Sequence, residues 1–100
     1  MAYIEPIAVL ADPTRRRLFD RLRRRPHGVG ELARALKITQ PAVSQHLSVL
    51  RRARLVQSRA EGNRRLYSPD PHGIAALRAY VDRMWSEVLA AYAESFGRIS

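Results

Sequence analysis

The chain contains no cysteine. Disulfides, thiolate metal sites and cysteine redox switching are therefore excluded. No stretch approaches the roughly 18 apolar residues of a membrane span. The first residues carry no basic segment followed by a long apolar run, so no signal peptide is expected. The five glycines form no phosphate-cradling loop, and no Ser, His and Asp residues stand in a supported catalytic arrangement. Acids are scarce where cations are dense. Residues 14–65 hold fifteen basic side chains against three acids, Asp20, Glu31 and Glu61, a local balance of +12. Elsewhere Arg78, Arg83 and Arg98 face six acids, a balance of −3. Lysine is nearly absent too, since Lys37 is the one cation of eighteen that is not arginine. Arginine suits bidentate phosphate contact, but a GC-rich genome produces the same bias. The segregation of charge is the stronger sign of a polyanionic partner. One hundred residues suit a single domain, residues 1–100, with a modest core. A cytoplasmic location is expected.

What is present is mostly helical periodicity. Ile4, Ile7 and Leu10 are three apart, which predicts a short first helix within residues 1–11, with Pro6 tolerable in its first turn. Asp12 is placed to cap a second helix, with Pro13 at its first position. Leu18, Phe19 and Leu22 form its apolar line, and its other faces are rich in arginine. These arginines point to every azimuth, so one or two are expected to meet phosphate and the rest to face solvent or pair with Asp20. Pro26-His27-Gly28 ends this helix. A third is predicted from Glu31 to Leu36, with Val29, Leu32, Ala33 and Leu36 inward. Lys37-Ile38-Thr39 is a tight turn, and Thr39 is a good N-cap for a fourth helix from about Gln40 to Ala53. Two strands follow, Val56–Ala60 and Arg65–Ser68. Glu61-Gly62-Asn63-Arg64 joins them, with Gly and Asn supplying positive φ. This hairpin is expected to span 56–68, within a core of residues 12–70. A long helical pattern runs from about Ile74 to Phe96 within residues 71–98.

The fourth helix is the informative one. Val43, Leu47 and Leu50 share one side at 100° per residue, and Pro41, Ser44, Gln45, Ser48 and Arg52 lie on the other. A solvated helix face usually carries charge. This one carries Gln40, Ser44, Gln45 and Ser48, whose side chains both donate and accept hydrogen bonds and so can read base edges in a major groove. His46 lies near the inner edge and is expected to pack or make a structural hydrogen bond. Two short helices across a three- or four-residue turn form a helix-turn-helix. Arg59, Arg64 and Arg65 at the following hairpin stand where a DNA-contacting wing would be. The plainer alternative is a solvated hairpin whose arginines confer only solubility.

These motifs, in order, resemble one family. Leu10-Ala-Asp-Pro-Thr-Arg-Arg-Arg-Leu is followed by Val29-Gly-Glu-Leu-Ala-Arg-Ala-Leu, then Gln40-Pro-Ala-Val-Ser-Gln-His-Leu-Ser-Val-Leu. Leu55-Val, Gly62 and Arg65-Leu-Tyr complete the set. The chain resembles the ArsR-type winged helix-turn-helix repressors over roughly residues 5–70. The resemblance implies five helices with a two-stranded wing, mainly α, dimeric through the terminal helices. It implies a homodimer on a partly palindromic operator near its own promoter. On matching positions, Gln40, Ser44 and Gln45 would face bases, with Ser48 further along. Arg64 and Arg65 would reach a minor groove or phosphates, and Thr39, Arg51 and Arg52 would touch phosphates. Metal-sensing members place two cysteines where this chain has Ala33 and Ala35. Others use His and acids on the last helix. The predicted last helix contains no His, because His72 precedes it. Asp82 and Glu87 alone make a poor transition-metal site. No metal and no cofactor are expected. Whether a small molecule, a partner protein or nothing relieves repression is left open.

The last helix carries two apolar stripes. Ile74, Leu77, Val81, Met84 and Val88 recur in a 3-4-3-4 pattern, and Trp85, Leu89, Tyr92 and Phe96 run alongside. A helix folded back over its own core, anchored by Trp85, would bury one stripe and leave the other wet. Self-association accounts for both. The predicted dimer interface is therefore Ile4, Ile7, Leu77, Val81, Met84, Trp85, Val88, Leu89, Tyr92 and Phe96. A two-fold dimer would set two reading helices about 34 Å apart, one DNA turn. The leading expectation is a DNA-binding transcriptional regulator. The alternatives are a DNA-coating architectural protein without sequence preference and, with nothing to support it, an enzyme.

Overall fold

Prolines and side-chain caps set most of the helix starts. The computed structural model describes residues 5–97. Its elements in order are α1 (Pro6–Leu10), α2 (Pro13–Arg24), α3 (Val29–Leu36), α4 (Gln40–Arg52), β1 (Val56–Glu61), β2 (Arg64–Pro69) and α5 (Pro71–Gly97). Asp12 accepts the Arg15 N–H at 3.0 Å and so caps α2. Thr39 Oγ1 accepts the Ala42 N–H at 3.2 Å and caps α4. Asp70 accepts the His72 N–H at 3.0 Å at the start of α5. Each side chain satisfies a helix-terminal donor that would otherwise lack a partner.

Helices α3 and α4 stop by the same device. Lys37 and Arg54 both adopt φ near 59°, the left-handed region. The Ile38 N–H then reaches the Ala33 carbonyl at 3.2 Å, and the Leu55 N–H reaches the Leu50 carbonyl at 3.0 Å. This six-to-one closure consumes free carbonyls at the helix end.

Three helices converge on one leucine-rich core. Leu18 and Leu22 of α2, Leu32 and Leu36 of α3, and Val43, Leu47 and Leu50 of α4 are all buried, joined by Leu55 and Val56. Each buried leucine contributes about 1.5–3 kcal/mol. In α1 the buried residues are Pro6 and Val9, not the expected line. Ile7 is exposed and Leu10 half-buried. The helix is only five residues long, so a three-residue spacing does not fix which side faces inward. Ile4 lies outside the described residues.

Strands β1 and β2 pair antiparallel from Val56 opposite Pro69 to Glu61 opposite Arg64. The hairpin is longer than expected, and its turn is only Gly62-Asn63. Positive φ is confined to Gly62, at 61°, and Asn63 does not share it. Leu66 alone among the β2 side chains is buried. His27, between α2 and α3, pairs with Tyr67 through reciprocal backbone hydrogen bonds of 3.1 and 2.8 Å. The hairpin is thus stitched to the start of α3. His27 is 5% exposed, and its Nδ1 lies 2.7 Å from the Arg25 carbonyl.

Helix α5 begins three residues earlier than its apolar pattern, because Asp70 and Pro71 nucleate it. His72 therefore lies in its first turn, a correction to its expected place before the helix. Gly73 sits against the α4–β1 turn so closely that a Cβ there would lie 1.7 Å from the Arg54 carbonyl oxygen. Ile74 and Leu77 pack on the core, and from Tyr80 onward the large apolar side chains are exposed. The molecule measures 65 × 26 × 24 Å, with a radius of gyration of 17.7 Å. A compact chain of this length would have about 13 Å. A helix folded back over its own core is excluded by this shape.

Candidate nucleic-acid interface

The exposed polar face of α4 is framed by its neighbours. With Val43, Leu47 and Leu50 buried, Gln40, Ser44, Gln45 and Ser48 are exposed. Their side chains have no hydrogen-bond partner among the described residues, so their donors and acceptors are available. Gln40 sits at the inner margin, next to α3. A Cβ on Gly30 would lie 3.7 Å from Gln40 Nε2. Thr39 is exposed, but its hydroxyl is engaged as the α4 cap. Arg51 and Arg52 are exposed in the last turn of α4, where cations favour the helix dipole. His46 is half-buried.

The hairpin arginines differ from one another. Arg59 pairs with Glu61 at 3.7 Å on its own strand. Arg65 donates to Ser58 Oγ at 3.2 and 3.3 Å across the ladder. Arg64 reaches back to α3, where its Nη1 lies 3.1 Å from Glu31 Oε1. Glu31 also accepts from Arg25 at 3.1 Å and from the Gly28 N–H at 3.2 Å. The Gly28 N–H, then Arg25, then Arg64 hold its carboxyl below the usual carboxylate range. Asp12 is lowered likewise, first by the Arg15 N–H and least by nearby His46.

Glu31 was legible only as an acid near the start of α3. Its partner Arg64 is 33 residues away, and no local pattern announces that pairing. In sequence His27 reads only as part of the turn that ends α2, and its bridge to Tyr67 has no sequence signal either. In α2, Arg23 pairs with Asp20 at 2.7 Å, and Arg15 donates to the Val9 carbonyl at 2.8 Å. Arg17, Arg21 and Arg24 line a shallow hollow with Asp20 and Leu36. Ala33 is buried and Ala35 half-buried within α3, and Asp82 pairs with Arg78 at 3.7 Å. Among the described residues, no three His, Asp or Glu side chains converge as a metal site would require. No helix among them is long and apolar enough to cross a membrane.

Two short helices across a three-residue turn, the second with a free polar face and a basic hairpin beside it, define a winged helix-turn-helix. Residues 12–58 match the family described as bacterial regulatory protein, arsR family. The chain is 55% identical over 85 residues to the HTH-type transcriptional regulator Rv2034 of Mycobacterium tuberculosis, covering 85% of this chain and 79% of that protein. A crystal structure of a possible transcriptional regulator for arsenical resistance superposes with a TM-score of 0.74 at 40% identity, over 87% of this chain and 95% of that one. The homodimeric winged helix-turn-helix DNA-binding domain of a possible ArsR-family regulator from Mycobacterium bovis superposes with a TM-score of 0.65 at 29% identity, over 80% of this chain and 74% of that one. The chain belongs to the ArsR family and is a sequence-specific DNA-binding transcriptional regulator, not an enzyme.

Proposed function

We propose that the chain is a single domain, residues 1–100, that acts as a homodimer and represses transcription from a partly palindromic operator, its own promoter included. Residues 12–70 form the DNA-binding core, and the terminal helices join the two copies. The observation that carries the base-reading assignment is the uncharged, unpaired face of α4 in a segment of net charge +12. Gln40, Ser44 and Gln45 contact bases, with Ser48 beyond them. Thr39, Arg51, Arg52, Arg59, Arg64 and Arg65 lie along the backbone or in the wing. Phosphate contacts supply most of the affinity, and the polar contacts supply sequence preference. A DNA partner implies a cytoplasmic location.

Dimerisation is supported by α5. Val81, Met84, Trp85, Val88, Leu89, Tyr92 and Phe96 are all exposed, Trp85 by 60% and Tyr92 by 61%. A patch of that extent on a soluble chain marks an interface. Leu77 contributes less, being half-buried against its own core, and Ile7 extends the patch at α1.

The test is differential binding. A duplex enriched by binding-site selection is compared with random-sequence DNA. Gln40→Ala and Ser44→Ala are expected to weaken the selected duplex by about 1–3 kcal/mol each and to leave random DNA nearly unchanged. Arg64→Ala and Arg65→Ala are expected to weaken both and to flatten the salt dependence by about one unit of slope each. Equal losses on both duplexes from the α4 variants, or a selection that enriches no motif, would instead indicate a DNA-coating protein.

A further inference from the structure

Each acid in the basic segment has an arginine partner, but only one links separate elements. Asp20 pairs within α2, and Glu61 pairs within β1. Glu31 joins three parts of the chain: the end of α2 through Arg25, its own helix through the Gly28 N–H, and the wing through Arg64. Its side chain is 20% exposed, whereas those of Arg64 and Arg25 are 57% and 63% exposed. The carboxylate is the more enclosed partner, and the two guanidinium groups are open to solvent. Glu31 and Arg64 sit at a groove of about 370 Å³ between α3 and the hairpin, lined also by Gly28, Gly30, Arg34 and Arg65.

A carboxylate presents to arginine the same paired-oxygen geometry as a phosphate. We propose that Glu31 is a positioning residue that occupies Arg64 with an internal anion, so that the wing arginine engages DNA only by exchanging one anion for another. The exchange lowers affinity for DNA in general. A duplex that brings an anionic backbone or a narrow minor groove to the hairpin drives it forward. This inference rests on the wing assignment above.

Glu31→Gln tests it with little risk to the fold, because a glutamine at this position still offers an oxygen to the Gly28 N–H. Binding to a random-sequence duplex is measured across a salt series for wild type, Glu31→Gln, Arg64→Ala and the double variant. Glu31→Gln is expected to tighten binding about two- to fivefold, the range an exposed ion pair spans. In the Arg64→Ala background that gain is expected to vanish. Unchanged or weaker binding by Glu31→Gln overturns the proposal. So does an equal gain in both backgrounds, since that would be a general charge effect or one acting through Arg25. If Arg64→Ala alone leaves binding unchanged, the wing assignment itself fails, and the two failures are told apart by that single variant.

Discussion

Lys37 and Arg54 hold backbone conformations that glycine adopts at far lower cost. A left-handed L-residue costs about 1–2 kcal/mol, and each of these ends a helix of the helix-turn-helix. Lys37 is exposed, so its backbone can be relaxed without touching the core. Lys37→Gly is expected to raise stability by about 0.5–1 kcal/mol, the relief less glycine's extra freedom in the unfolded chain. Urea denaturation with no gain would show that Lys37 side-chain contacts already offset the strain. Such positions are hard to read from sequence, because nothing in the letters of Ala-Leu-Lys-Ile or Arg-Ala-Arg-Leu signals positive φ. The caps are different. Asp12 and Thr39 sit directly before a proline-containing first turn, and both were legible because capping is local chemistry.

Elements add constraints that single residues do not show. The α5 helix is seated by Gly73 on the Arg54 carbonyl, and the Asp70 N–H reaches the Leu55 carbonyl at 2.9 Å beside it. Gly73→Ala forces α5 away from the turn that ends α4. A destabilisation of about 1–3 kcal/mol is expected from this overpacking, along with weaker operator binding as the two helices lose their fixed angle. Wild-type unfolding and wild-type affinity in this variant would mean the junction is compliant. The sequence carried the amphipathic stripes of α2, α3 and α4 and the alternation around Leu66, since those depend on periods of 3.6 and 2. It did not carry the Gly73 contact, the His27–Tyr67 bridge or the Glu31–Arg64 pair. Each joins residues from different elements, and such contacts exist only once the chain has folded.

At the scale of the whole molecule, charge and apolar surface are sorted to different ends. The cations cluster on residues 14–65, and the exposed apolar side chains lie mainly on α5 beyond Leu77. In the proposed assembly the first end meets DNA and the second meets another copy of the chain. Val88→Asp is expected to leave the core intact and shift the protein to monomer in sedimentation, with operator affinity falling because two half-sites are no longer bound together. A dimer of unchanged stability would move the interface off α5.

The bare flank of α5 has a consequence beyond assembly. Where association stabilises the native state and not the unfolded one, dilution itself destabilises the fold. The melting temperature is expected to rise by roughly 5–10 °C over about a hundredfold increase in protein concentration, and that dependence is expected to disappear in Val88→Asp. A chain that pairs through α5 is sensitive to its own abundance. With few copies present, more such chains would be single, with Trp85, Tyr92 and Phe96 bare to proteases and chaperones, and scarcity would shorten their lifetime as well as empty the operator.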